Sequence, residues 1–164
     1  MSSFLVYIRI EPYLRQWFVH DHDGKTPVEL RRGSVESKVL EVYLSPQPKD
    51  SVPDSGGEDT LAIRIPTFRH KPPETYNHLP KYAQAALINC IRNRFDVELW
   101  NDLHHFGRIW RRKDELIYAW MENHGIEMTE ANWNAIAKRY QRQRDLYLTK
   151  ERMKKSAKKS QKSS

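Results

Sequence analysis

Residues 61–100, LAIRIPTFRHKPPETYNHLPKYAQAALINCIRNRFDVELW, contain the change of period that decides the fold. Leu61, Ile63 and Ile65 alternate, so they face one way on a strand, and Pro66 ends it because proline has no N–H for a ladder. An irregular stretch follows. From Pro80, a good first-turn residue, the spacing becomes helical, with Ala83, Ala86, Leu87, Cys90, Ile91 and Phe95 on one apolar stripe. Strands before this stretch and helices after it predict an α+β fold. Its parts are a small mixed N-terminal sheet with two helices (residues 1–75), a helical half (78–149) and a basic tail (150–164).

Upstream, FLVYIRI (4–10) alternates as a strand, with Phe4, Val6, Ile8 and Ile10 on one face. Leu14, Trp17 and Phe18 then recur at helical spacing and predict a helix from Pro12 to about His20; a strand through WFVHDH (17–22) competes with it. VELRR (28–32) suits a short strand. Ser34 is an N-cap candidate for a second helix to about Leu44, with Val35, Val39, Val42 and Tyr43 at helical spacing. SPQPKDSVPDSGGED (45–59) is almost free of apolar residues and reads as a long loop.

Downstream, Asp96 is placed to cap a separate helix with Val97, Leu99, Trp100 and Leu103, stopping at Gly107. A third helix, from about Arg112 to His124, would bury Leu116, Ile117, Trp120 and Met121 and stop at Gly125. Thr129 opens the fourth and longest, whose buried side is marked by Trp133, Ile136, Ala137, Tyr140, Leu146 and Tyr147.

The chain has 164 residues, 38% hydrophobic and 30% charged, with a formal net charge of +7. That charge is unevenly placed. Residues 1–77 have ten basic and eleven acidic side chains, residues 78–149 eleven and nine, and residues 150–164 seven and one. The tail, KERMKKSAKKSQKSS, has only Met153 and Ala157 as apolar residues, and its lysines repel one another. It is therefore expected to be disordered in isolation beyond its first turns, and to bind a polyanion by counterion release. The lone Cys90 excludes an internal disulfide. No stretch is long and apolar enough to cross a bilayer and the start does not read as a leader, so a cytoplasmic location without membrane contact is expected.

KRYQRQRDLY (138–147) is the strongest functional signal. Arg and Gln make bidentate hydrogen bonds to base edges in a major groove, and the cations neutralise phosphate. Arg139, Arg142 and Gln143 are expected to share a solvent face across from Ile136 and Tyr140, and Lys138 belongs to the same cluster in the sequence. RIWRRK (108–113) adds Arg108, Arg111, Arg112 and Lys113 at a helix start, where bound phosphate would meet both the macrodipole and the side chains. Lys154, Lys155, Lys158 and Lys159 complete the expected contact set. A helix-turn-helix fits in two registers, about Gly107 or about Gly125; the second is preferred because Ile126 is apolar and the basic face then falls on the reading helix. Leu103 or Met121 stands where a small residue is usual.

The succession of the LAIRIP strand, a long helix, IRNRFDVELWNDLHHFG (91–107) and a further helix resembles the strand-then-helix-turn-helix order of phage middle-operon transcription activators, over about residues 60–122. PPETYNHLP (72–80) and NWNAIAKRYQRQRDLY (132–147) are similar to stretches of small basic proteins carried by bacterial prophages and mobile elements. The resemblance implies a small dimeric regulator that binds duplex DNA.

Other chemistries are less well supplied. HDHD (20–23) would place His20 and His22 together on a strand, but no third ligand at a metal-site spacing accompanies them, and His104 and His105 form only a pair. No phosphate-cradling, dinucleotide or nucleophile-elbow motif occurs, and Cys90 lies in an apolar stripe, so neither an enzyme nor a cofactor is expected. Two further readings stand beside DNA binding. One is an interaction module that docks a protein partner through its N-terminal half, the tail only keeping it soluble. The other is RNA binding, with Tyr7, Trp17 and Phe68 as stacking candidates.

Overall fold

The computed structural model describes residues 3–106 and 112–163. Its elements run β1 (Leu5–Arg9), α1 (Pro12–Asp21), β2 (Val28–Glu29), α2 (Val35–Tyr43), β3 (Ser45–Pro46), β4 (Thr60–Arg64), β5 (Tyr76–His78), α3 (Lys81–Phe106), α4 (Lys113–Asn123) and α5 (Glu130–Lys162). The architecture is α+β, with a small mixed sheet in the N-terminal half and helices after it. The sheet order is β1-β4-β2: β4 pairs antiparallel with β1, Ile8 opposite Leu61, and parallel with β2, Val28 opposite Ile63. β3 and β5 form a separate antiparallel pair.

Alternation places Val6 and Ile8 of β1 and Leu61 and Ile63 of β4 in the core, and Ile10 and Ile65 just past the two strands keep the same period. Tyr13, Leu14, Trp17 and Phe18 of α1 join them, so WFVHDH is helical, not a strand. Residues of both expected regions share this single hydrophobic core, which continues through α3, α4 and Ile136 and Tyr140 of α5.

The short strands β3 and β5 fall in stretches expected to be loop, and three helices also differ from the sequence expectation. α2 has the expected N-cap, the Ser34 hydroxyl accepting from the Ser37 N–H at 3.2 Å. It nevertheless buries Glu36, Ser37 and Leu40, while Val35 and Val42 are 61% and 68% exposed. The inversion follows from a partner far along the chain: Arg94 of α3 donates to Glu36 at 2.7 Å, so a carboxylate occupies the inner face.

α3 is one helix through Asp96 rather than two. Leu87, Ile91, Phe95, Leu99 and Leu103 continue a buried row at four-residue spacing, and neither Gly nor Pro interrupts residues 81–106. Asp96 caps nothing; its carboxylate accepts from Arg139. The helix-turn-helix register about Gly107 therefore begins inside a longer helix, and Gly107 itself lies outside the described residues.

The third difference is the tail. It continues α5 to Lys162 instead of leaving the helix after a few turns. Residues 130–162 contain no Gly or Pro and are rich in Lys, Arg, Gln, Glu and Ala, which lose little on entering a helix. Thr129 caps the start, accepting from the Asn132 N–H at 3.2 Å.

Candidate nucleic-acid interface

α4 reaches α5 through the turn at Gly125, whose φ is 67°. A Cβ there would also meet the His20 side chain at 2.6–2.8 Å, so backbone conformation and close approach both require glycine. α4 buries Leu116, Ile117, Trp120 and Met121, and Ile126 beyond the turn is buried too. This packing fixes the start of α5 on the body. Trp133, Ile136, Ala137 and Tyr140 lie against the core, and Tyr147 makes the last aromatic contacts, 5.4 Å from Trp100 and 4.9 Å from His104 between ring centroids.

The described part of the first basic cluster, Arg112 and Lys113, comes beside the second here. The Lys113 ammonium donates to the Gln141 side-chain carbonyl at 2.8 Å and sits 5.6 Å from the Tyr140 ring centroid, which brings the start of α4 beside the middle of α5. Arg112 is exposed and lies 3.8 Å from Glu115. Lys138, Arg142 and Arg144 are exposed on α5. Arg108 and Arg111 lie outside the described residues.

Arg139 and Gln143 are not on the solvent face expected for them; at about 100° per residue Gln143 falls within about 20° of the buried Ile136 and Arg139 within about 60°. The Arg139 guanidinium makes a forked contact to the Asp96 carboxylate, Nε at 2.7 Å and Nη2 at 2.8 Å, and Gln143 donates to the Asp96 backbone carbonyl at 3.0 Å. Both are half-buried against α3. Asp96 hydrogen bonding raises the Arg139 pKa further above its already high value, although burial opposes it. The pair anchors α5 to α3, which leaves Arg142 as the exposed member of the expected reading set. Arg139→Ala is accordingly expected to destabilise the fold by about 1.5–3 kcal/mol, whereas Arg142→Ala should change stability by less than about 0.5 kcal/mol. Thermal unfolding of the two variants checks this, and equal losses of stability would refute the assignment.

Beyond Tyr147 every described residue except the half-buried Glu151 is exposed, including Lys154, Lys155, Lys158 and Lys159. Lys154 lies 3.3 Å from Glu151, a contact one helical turn apart on the surface. Val97 and Trp100 of α3 face Leu146, Tyr147 and Lys150 of α5 across an open apolar groove of about 480 Å³. The stacking candidates are placed otherwise: Trp17 is fully buried, and Tyr7 and Phe68 are half-buried.

The histidines singled out in the sequence form no metal site among the described residues. His20 and His22 end α1 rather than sharing a strand face, and the His22 Nδ1 lies 2.8 Å from the Phe18 carbonyl. His104 stacks on Trp100 and meets Tyr147 edge-on. Sequence reasoning passes over His124, which meets Glu98 and Asp102; the two carboxylates one turn apart on α3 are the available signal. No helix among the described residues is long and apolar enough to cross a membrane. Comparison with family profiles, curated proteins and solved structures returns no match.

Proposed function

We propose that the chain is a nucleic-acid-binding protein that holds duplex DNA mainly through its phosphates, with the C-terminal part of α5 as the binding arm. The observation that carries this reading is the exposed helical arm beyond Tyr147, on which seven basic side chains stand against one acidic. Such a surface gains affinity by releasing condensed counterions from the duplex, which needs neither a pocket nor a catalytic group. Lys113, Arg112, Lys138 and Arg142 extend the basic surface back along α5 toward the body. Arg142 is the best-placed side chain for a base edge, while Arg139 and Gln143 support the helix from behind. The order α4, glycine turn, α5 is compatible with a helix-turn-helix used in this way. A role as a small, homodimeric transcriptional regulator or accessory factor of a phage or mobile element fits a protein of this size and charge.

The test is duplex binding by the full chain and by a chain ending at Thr149, over a salt series. The full chain should bind with a steep salt dependence, and truncation should flatten the log–log slope by about 0.9 for each phosphate that the arm neutralises. Absence of salt-dependent binding by the full chain would overturn the proposal. The groove of Val97, Trp100, Leu146 and Tyr147 would then favour an interaction module, docking through the helical half rather than the N-terminal half expected from the sequence, with a basic flank that suits an acidic amphipathic helix of a protein partner.

A further inference from the structure

Glu98 and Asp102 lie one turn apart on α3, and His124 ends α4 opposite them. The His124 Nε2 is 3.0 Å from Glu98 Oε1 and 3.8 Å from Asp102 Oδ2. One oxygen from each carboxylate and this ring nitrogen all lie within 4.8 Å of one another. The three side chains are half-buried, at 33%, 37% and 21% exposure, so the cluster is walled by protein on one side and open to water on the other.

Contacts outside the trio hold two of its members in position. The His124 Nδ1 is 2.7 Å from the Trp120 carbonyl, which can only accept, so Nδ1 donates there; Nε2 faces the carboxylates, donating to Glu98 while it is protonated and offering its lone pair to an ion once that proton is lost. The Trp120 indole N–H donates to the same Asp102 oxygen at 2.9 Å, and its ring stacks on His124 with centroids 4.0 Å apart. Trp120 is itself buried and packs edge-on against Phe95. One core residue thus orients both an imidazole and a carboxylate, in the manner of the outer groups that position metal ligands.

We propose that Glu98, Asp102 and His124 form a binding site for a divalent transition-metal ion, with Zn²⁺ the species that one imidazole nitrogen and two carboxylate oxygens suit best. At Zn–N and Zn–O lengths of about 2.0–2.2 Å, tetrahedral ligand atoms stand roughly 3.3 Å apart. The separations of 3.0 and 3.8 Å from Nε2 bracket that edge, and the two carboxylate oxygens lie within 4.8 Å of one another. The open side leaves the fourth position to water. Calcium and magnesium, which prefer six or more oxygens, fit this set less well. A bound ion would tie α3 to the end of α4 immediately before the Gly125 turn.

The competing occupant is a proton. Burial lowers the His124 pKa, but hydrogen bonds to Glu98 and Trp120 and the nearby Asp102 raise it by more, so the ring ends above its ordinary 6.5. Titration calorimetry of the full chain with Zn²⁺ is therefore best done near pH 8. The wild type should bind Zn²⁺ with a Kd below about 100 μM, and Glu98→Gln and His124→Gln should each weaken this site at least ~10-fold. Glu98→Gln keeps the side-chain shape, and far-UV circular dichroism checks its fold, so it decides the matter if His124→Gln does not fold. No binding by the wild type, or equal binding by folded Glu98→Gln, overturns the proposal and leaves the trio as an ion pair.

Discussion

Arg94→Ala is expected to cost about 3–5 kcal/mol of folding free energy, since it strands a buried charge. The guanidinium donates to Glu36 and to Asp21 at 2.7 Å each, and lies over the Trp17 and Phe18 rings at 4.9 and 5.5 Å. One side chain of α3 therefore joins α1 and α2. Asp21 keeps Arg31 when Arg94 is removed, but Glu36, whose side chain is 3% exposed, has no other ion-pair partner among the described residues. The penalty thus comes chiefly from Glu36. Adding Glu36→Met to Arg94→Met should recover most of the stability, because an apolar pair of similar volume can replace a buried ion pair. Urea unfolding of the single and double variants provides the measurement. A cost below about 1 kcal/mol in Arg94→Ala would show that Glu36 reaches water when its partner is gone.

The same network gives a sign for pH. Burial raises the Asp21 pKa, but hydrogen bonds from Arg94 and Arg31 outweigh it and hold the carboxyl below its ordinary 3.8. A group depressed in the folded state contributes stability above its unfolded pKa and loses it as pH falls through the folded value. Acid sensitivity below about pH 4 should therefore be weaker in Arg94→Ala than in the wild type.

Phe95→Ala is expected to be of similar size, about 3–5 kcal/mol, for a different reason. The ring is fully buried and meets Tyr13, Trp17 and Trp120 at 5.3, 5.2 and 5.4 Å, with interplanar angles of 61°, 88° and 90°. Removing it opens a cavity among rings from α1 and α4 and ends three edge-to-face interactions together. Phe95→Leu keeps more of the volume and should cost less. A fall in Tm on the order of 10 °C for the alanine variant, with a weakened near-ultraviolet tryptophan signal, is the expected result. An unchanged Tm would mean that the surrounding rings collapse into the space. Neither Arg94 nor Phe95 lies on the proposed arm, so both variants should bind duplex DNA normally under conditions where they remain folded.

Local signals in the sequence are sufficient for much of the fold. The alternation of LAIRIP, the Ser34 and Thr129 caps and the row Leu116, Ile117, Trp120 and Met121 all reappear in the structure. What cannot be read locally is set by partners distant along the chain. Glu36 turns inward because of Arg94, 58 residues away in sequence, and Arg139 turns inward because of Asp96, 43 away. A periodicity argument assigns charged residues to water and cannot anticipate such pairings. The site is partly legible for the same reason: the exposed lysines of the tail need no partner to be recognised, whereas a basic helix face can be divided between solvent and a neighbouring helix. The tail's helical state escapes a reading that weighs repulsion among its lysines above their intrinsic helix propensity.

The final turns of α5 also determine how far the protein's positive potential extends. Residues 148–162 form about 22 Å of helix beyond the last aromatic contact with the body, at 1.5 Å per residue. At physiological ionic strength the Debye length is about 8 Å, so the acidic side chains of the body hardly weaken the field at the tip. An approaching polyanion would meet the arm's charge first and independently of the nearly neutral remainder, which favours capture at the tip followed by docking along α5 toward Arg142.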